Sequence, residues 1–292
     1  MSDLWHGLKK ENIGGSEIAA LFDESPYTTV YKLWHQKRGN IERDDLDDVE
    51  RIQGGTFLEV GIMNWANHRW KLDLYQPQVY VQHGSVKGMG CTPDCYSRSN
   101  LQLQAQIKNV DKWEFSEEKG WSSQGDTITA APLHIMLQVQ HEMECTGRAE
   151  SLLIVCVGGN RLLRMWCERD EEIGAILRKK VAEFWTMPEP EPDFKRDGDS
   201  IRAIKKKLKH VDAVDWSDDK DLYKLLKKAK QTRVKIAQLQ DDLEPIENEI
   251  FQAYEGKAIR CRDIFLRVIN RAGSENRKGS ISLKITMEGL PI

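Results

Sequence analysis

The spacing of apolar and polar residues changes period several times along the chain, and each change marks an element. Residues 16–21 open as a helix, preceded by Gly14-Gly15 and with Ser16 as the candidate N-cap. Residues 29–37 predict a second helix, apolar at Val30, Leu33 and Trp34 and stopped by Gly39. Residues 54–70 predict a longer one, with Phe57, Leu58, Ile62, Met63, Trp65 and Ala66 at helical spacing. The period then shortens, and residues 79–81, 89–92 and 101–110 predict strands separated by turn residues. A helix follows at 132–146. Next come an apolar run of strand length at 151–157, a Gly158-Gly159-Asn160 turn into a strand at 162–167, and a helix at 171–186.

Three prolines at alternate positions, Pro188, Pro190 and Pro192, cannot continue that helix and favour an extended segment. A domain boundary is placed there, giving residues 1–190 and 191–292. Beyond it, residues 218–254 are mostly helical, and Pro245 is expected to break them into the two arms of a helical hairpin or short coiled coil. Residues 258–271 and 281–285 predict two strands around a Gly-Ser-Glu-Asn turn. The fold class is therefore α/β (α+β): a mixed central sheet flanked by helices, then a C-terminal helical hairpin with a small β element.

Composition narrows the class further. The 292 residues are 40% hydrophobic and 30% charged, with nine Trp, so the chain can bury a core and is not globally disordered. No apolar run approaches the length of a membrane span, and the first residues lack a signal-peptide layout. The six cysteines (Cys91, Cys95, Cys145, Cys156, Cys167 and Cys261) are scattered, as expected of reduced thiols in a cytoplasmic protein. A net charge of −3 argues against a nucleic-acid binder only if charge is spread evenly. It is not. Residues 42–50 are acidic, 195–235 are strongly basic, and 241–255 are acidic again.

One constellation carries chemistry. Pro93-Asp94 ends a short strand, and twelve positions later Gln106-Ile107-Lys108 lies inside another. Residues two apart in a strand share a face, so Gln106 and Lys108 point one way and Ile107 turns into the core. If the two strands pair, Asp94 joins them. An acidic oxygen, a second oxygen and an ammonium at one sheet edge suit metal-assisted hydrolysis of a phosphodiester. Glu59, on the preceding helix, is positioned to add a carboxylate.

These residues resemble the Pro-Asp…Glu-x-Lys nuclease signature of the PD-(D/E)XK superfamily. Around them, residues 13–19 (IGGSEIA), Ser25-Pro26-Tyr27, residues 55–61 (GTFLEVG) and Gln138-Val139-Gln140-His141 resemble the YqaJ-type viral recombinases, relatives of lambda exonuclease. The resemblance covers roughly residues 5–186. It implies a restriction-endonuclease-like core and a deoxyribonuclease that digests one strand of duplex DNA from a 5′ end. The product is a 3′ single strand for a phage-type annealing partner. It implies a two-metal site for Mg²⁺, for which Mn²⁺ substitutes, and a homo-oligomer such as a ring trimer. It also implies a phage or prophage origin in a bacterial host. By position, Asp94, Gln106, Lys108 and Glu59 are the catalytic residues. Asp94, Gln106, the Ile107 carbonyl and Glu59 are the metal ligands, and Lys108 serves the water nucleophile. Ser16, with Lys9 or Lys10, would hold the DNA 5′-phosphate at a helix N-terminus. Gln138 and Gln140 fall on the glutamine helix near the scissile phosphate.

One departure matters. Gln106 stands where the family usually has Glu; it is nearly isosteric but neutral, offering only a carbonyl oxygen to a metal. A deliberate substitution, a natural variant that still cuts, and an inactive DNA-end binder all fit. An endonuclease of the same fold is a further alternative. Each residue also has a plainer role. Ser16 alone is an ordinary cap, Glu59 a surface carboxylate, and Gln138 and Gln140 polar residues of a half-buried helix. His134 and His141 share a helix face but lack further zinc ligands, and Cys91 and Cys95 flank Asp94 without a second cysteine pair. The basic stretch is either a solvated face or a contact to DNA backbone, and the acidic block is either a solvated loop or a patch that keeps DNA off the wrong surface.

Overall fold

A seven-stranded sheet organises the first part of the computed structural model, which describes residues 3–44, 48–206, 218–253, 259–261, 264–271 and 280–287. In chain order its strands are β1 (Leu74–Tyr75), β4 (Cys95–Ser97), β5 (Leu103–Val110), β6 (Ser122–Gln124), β7 (Thr127–Ala130), β8 (Glu150–Val157) and β9 (Arg161–Glu168). A separate two-stranded ribbon pairs β2 (Val81–Gln82) with β3 (Gly90–Cys91). The spatial order of the large sheet is β1-β4-β5-β8-β9-β7-β6. Strand β5 runs parallel to β8 and antiparallel to β4; β8 and β9 form the hairpin expected at Gly158-Gly159-Asn160.

The centre of the sheet follows from residue type. Apart from Glu150 at its start, every residue of β8 is buried, as an apolar run covered on both faces must be. On one face α3 (Glu50–Trp70) sets Ile62, Met63 and Ala66 against Ala105, Ile107, Leu152 and Ile154. On the other, α4 (Leu133–Thr146) sets Ile135, Val139 and Met143 against Leu153, Val155 and Val157. The far side of α4 carries Leu137 and Cys145 into a second cluster. This contains a 3-10 turn (Ile18–Phe22) and α5 (Glu171–Thr186), with Leu177, Val181 and Phe184. Helices α1 (Asp3–Glu11) and α2 (Val30–Lys37) flank the 3-10 turn; Thr29 Oγ1 caps α2 by accepting from Lys32 N at 3.0 Å.

Several expectations change. The helix expected at 16–21 is a short 3-10 turn; Glu17, not Ser16, stands at its N-cap position and makes no side-chain capping bond. The N-terminal half of α3 stands clear of the sheet, so Phe57 and Leu58 are exposed although they keep helical spacing. The strand expected at 79–81 begins only at Val81, after Gln78 adopts a positive φ. Strands β1, β4, β6 and β7 are two to four residues long, too short to show a period.

The chain divides into two compact units, 1–210 and 211–292. The first runs past the Pro188–Pro192 segment because residues 193–197 are tied back to it. Buried Asp197 accepts from Thr29 Oγ1 at 2.5 Å and from Asp193 N at 2.8 Å, and Arg196 Nη2 donates to the Ser25 carbonyl at 2.5 Å. Helix α6 (Gly198–Lys206) continues from that anchor.

In the second unit the expected hairpin is replaced by one 34-residue helix, α7 (Lys220–Ala253), with Pro245 inside it. A proline costs about 3 kcal/mol in a helix interior. The flanking Leu, Lys, Gln and Glu are strong helix formers, and no glycine is present to supply a left-handed turn. The unit also holds an antiparallel sheet of three strands, one more than expected: β10 (Ile259–Cys261), β11 (Ile264–Arg271) and β12 (Ser280–Met287). The turn region between the last two lies outside the described residues, as do residues 45–47 of the acidic block and the end of the basic Lys205-Lys206-Lys207 run.

Replacing Asp197 with Ala strands the buried Thr29 hydroxyl and frees the exposed Asp193 N–H to water. The expected loss is about 1–3 kcal/mol for the stranded group, read from the urea midpoint. An unchanged midpoint would show that residues 193–206 are not anchored this way.

Candidate active site

The site lies where the ladder between β4 and β5 stops. Only two residue pairs join those strands, Cys95 with Ala105 and Tyr96 with Gln104. The next outward-facing N–H of β5, that of Ile107, finds a side chain instead of a strand, donating to Asp94 Oδ2 at 2.8 Å. The N–H and C=O of one strand residue leave on the same side, so the Ile107 carbonyl is directed to that open edge too. The Ile107 side chain turns to the α3 core while Gln106 and Lys108 face α4, as the two-residue period requires.

A chain of polar contacts runs across this edge. Gln106 Nε2 donates to Asp94 Oδ2. The Gln106 amide carbonyl, Oε1, is buried with no protein partner. Lys108 Nζ donates to Gln138 Oε1 at 2.9 Å, and Gln138 Nε2 donates to Glu142 Oε1 at 2.8 Å. Glu59 Oε1 accepts from Gln76 Nε2 at 2.6 Å. Burial first, and then the Glu59 charge, push the Asp94 carboxyl up to about 7. Burial and the charge of Asp94 push Glu142 up to about 8. Burial also raises Glu59.

This donor set suits a hard divalent cation. An orphaned amide oxygen, a backbone carbonyl at an open edge and carboxyls destabilised by one another are what such an ion relieves. Among the described residues no group of three or more His, Cys, Asp or Glu is arranged to hold a metal. The carboxylates therefore do not form a site by themselves, and the oxygens of Gln106 and Ile107 would have to complete one.

Next to this edge is a cavity of about 140 Å³ lined by Lys9, Asn12, Gly14, Gly15, Ser16, Arg43, Tyr80, Thr92, Gln138 and Glu142, among others. Its floor is the Gly14-Gly15-Ser16 turn. Glu17 fixes that turn by accepting from Gly14 N at 2.9 Å and from Arg43 Nη2 at 2.8 Å. Buried Lys37 completes the knot, donating to Glu17 Oε2 at 2.6 Å and to the carbonyls of Lys9 at 2.7 Å and Asn12 at 2.6 Å. All three ammonium protons thereby point at the segment from α1 to the turn. Gly15 lies against α4: a Cβ there would be 2.7 Å from Glu142 Oε1 and 3.2 Å from Gln138 Cγ. The glycine turn and the carboxylate edge thus share one wall.

The structure brings Asp94, Gln106, Ile107, Lys108, Glu59 and Gln138 together, with Lys9 and exposed Ser16 in the adjoining cavity. It separates two other candidates. Lys10 faces the far side, toward Gly39. Gln140 is a structural residue: its Nε2 donates to the Glu168 carbonyl at 2.8 Å and its Oε1 accepts from Asp170 N at 3.0 Å. Glu142 and Arg43 were missed. Glu142 was within reach of sequence reasoning, one helical turn after Gln138 on the same face. Arg43 sits in a charged loop with no periodic signal. His141 is buried and bonded to the Gly90 carbonyl at 3.0 Å, while His134 packs edge-on to Tyr27. Cys91, Cys95, Cys145, Cys156 and Cys167 are free and buried.

The model of the family described as YqaJ-like viral recombinase domain matches residues 4–149. A curated relative, the uncharacterized protein YqaJ of Bacillus subtilis (strain 168), is 22% identical over 189 residues, covering 63% of this chain and 55% of the relative. The match thus spans about half of that relative's length. The crystal structure of an alkaline exonuclease (LHK-Exo) from Laribacter hongkongensis aligns with a TM-score of 0.50 at 15% identity, covering 71% of this chain and 100% of that one. LHK-Exo in complex with dAMP aligns with a TM-score of 0.45 at 14% identity, covering 70% and 97%. At these identities the first alignment establishes a shared fold. No described helix is long and apolar enough to cross a membrane.

Lys37→Met keeps an unbranched side chain of about the length of the lysine stem but leaves Glu17 without its buried counter-charge and two carbonyls without a donor. The expected loss is about 3–5 kcal/mol of stability, checked by urea unfolding. A loss below about 1 kcal/mol, the level of a surface pair, would show that the knot does not hold the turn.

Proposed function

The chain belongs to the YqaJ-like viral recombinase domain family, and from that premise we propose that it is a metal-dependent 5′→3′ exonuclease acting on double-stranded DNA ends. The observation that carries this reading is the edge of β5. There Asp94, the orphaned Gln106 carbonyl oxygen and Lys108 converge beside a cavity floored by a glycine turn.

Asp94, Gln106 Oε1, the Ile107 carbonyl and Glu59 would hold Mg²⁺, with Glu142 the nearest further carboxylate. When bound, such an ion polarises the scissile phosphate and makes water acidic enough to attack it. The remaining work belongs to the chain itself. Lys108, oriented by Gln138, holds the attacking water and offsets negative charge as it develops on the phosphate. The 5′-phosphate occupies the cavity, where Lys9 and Arg43 supply positive charge and Ser16 a hydroxyl donor. Because Gly15 touches Glu142 and Gln138, seating the terminal phosphate sets which phosphodiester meets the metal edge. The product strand with a 3′ overhang would pass to an annealing protein of phage-type recombination.

The neutral Gln106 favours a second reading, a protein that binds DNA ends without cutting. A 5′-phosphorylated linear duplex with Mg²⁺ separates the two. Mononucleotide release from the chain, abolished by chelation and reduced about 10²–10⁴-fold by Lys108→Ala, supports the nuclease. Release only from Gln106→Glu would mean that the amide disables the site. No release from either form sinks the exonuclease reading, and cutting of closed circles would point to an endonuclease.

The 5′-phosphate assignment has its own check. Ser16→Ala is expected to slow digestion of 5′-phosphorylated ends by about tenfold while barely changing that of 5′-hydroxyl ends. Equal slowing on both would remove Ser16 from phosphate binding.

A further inference from the structure

Helix α7 is long and largely unburied. Its 34 residues span about 51 Å, and Leu225, Ile236, Leu239, Leu243 and Ile246 are 47–67% exposed. These side chains are not scattered. From Leu222 to Ile250, steps of three and four residues alternate without a break through four heptads, and every position reached is apolar except Thr232. That is the two-position seam of a coiled coil, with exposed Leu226 flanking it and only Tyr223 and Val234 among the large exposed apolar side chains of the helix lying away from it. Pro245 falls off the seam, at a position facing away from any partner helix.

We propose that α7 pairs with α7 of a second copy of this chain in an antiparallel coiled coil. The charges beside the seam select both the partner and the direction. After Asp221 in the first turn, position g carries Lys228 and Lys235 in the first half of the helix, then Asp242 and Glu249 in the second. In an antiparallel pair g faces g. Lys228 then meets Glu249 and Lys235 meets Asp242, and the twofold axis repeats both contacts. A parallel pair instead sets g against position e of the next heptad, placing Lys228 against Arg233 and Asp242 against Glu247. Like charges there oppose assembly.

The same register satisfies the seam independently. It packs Ala229 against Ile246, Thr232 against Leu243 and Ile236 against Leu239, so each small residue meets a large one. Sliding by one heptad either way brings Asp242 onto Asp242 or Lys235 onto Lys235. One arrangement is therefore favoured by packing and charge together. Antiparallel pairing closes at two copies, so this contact by itself builds a dimer and not a ring trimer.

The test uses the full chain and charge reversal, followed by sedimentation at micromolar concentration. The wild type is expected to dimerise through α7. Lys228→Glu with Lys235→Glu, or Asp242→Lys with Glu249→Lys, turns all four contacts repulsive and is expected to weaken the dimer about a hundredfold. Mixing the two variants, or combining all four substitutions, restores attraction at every contact and is expected to restore the dimer. Restoration by mixing cannot come from misfolded chains, and circular dichroism confirms that the helix persists. A monomeric wild type, or an assembly whose mass both variants leave unchanged, overturns the proposal. So does tighter assembly by Lys228→Glu with Lys235→Glu, the outcome a parallel pair predicts.

Discussion

A buried strand needs partners for its backbone on both sides, and β5 has a full set on only one. Strand β8 matches it residue for residue from Leu103 to Val110, whereas β4 reaches only Gln104 and Ala105. Asp94 takes over where β4 ends, its carboxylate standing in for the strand carbonyl that Ile107 N would otherwise bond. This fixes the acid through a backbone donor rather than through another side chain. Asp94 cannot leave without stranding a buried N–H, which costs about 1–3 kcal/mol. The rigid side of β5 comes from β8, whose apolar run is closed in by α3 and α4. The reactive edge is therefore an interrupted ladder held by an uninterrupted one.

Around that edge the protein concentrates charge that water would ordinarily screen. The Glu59 charge raises the proton affinity of Asp94, the Asp94 charge raises that of Glu142, and Lys108 is the cation that opposes both shifts. Gln106 eases this crowding. Its amide donates to Asp94, where a glutamate would present another anion. Its carbonyl is left without a protein partner, so the relief is incomplete. On the other side of the shared wall, Lys37 does for the glycine turn what Asp94 does for the strand. A single buried group satisfies several backbone atoms and fixes the loop from inside. Gly15 joins the two halves because it brings no Cβ to the place where Glu142 and Gln138 press closest.

Much of this was legible from residue order. A two-residue period places Gln106 and Lys108 on one face and Ile107 on the other without any structure. Helices with a clear start and stop were legible too: α5 spans Glu171–Thr186 as expected, capped by Asp170 and ended before the prolines. What escaped was set by tertiary contact. Short strands such as β1 and β4 have no period to read; the sheet edge that recruits them creates them. Ser16 looks like a helix cap, but the helical turn starts after Glu17, whose carboxylate is held instead by Lys37 and Arg43, twenty and twenty-six residues away. Gln138 and Gln140 were indistinguishable in sequence. Lying two apart on a helix they cannot share a face, so one joins Lys108 and the other seals β9 to α5.

The net charge of −3 is the least informative number about this chain, since what matters is where each sign falls. The basic stretch before Lys235 suits a DNA backbone if read alone. Read together with α7, that assignment leaves two features without a cause: an apolar seam kept in register through four heptads, and an acidic second half of the same helix. An acidic arm beside a phosphate backbone is repelled. A second copy running the other way accounts for all three at once, since it brings the acidic half of each helix to the basic half of the other and covers both seams. A charge pattern that changes sign about the middle of a helix is complementary to its own reversal. Neither a uniformly basic helix nor a randomly charged one has that property.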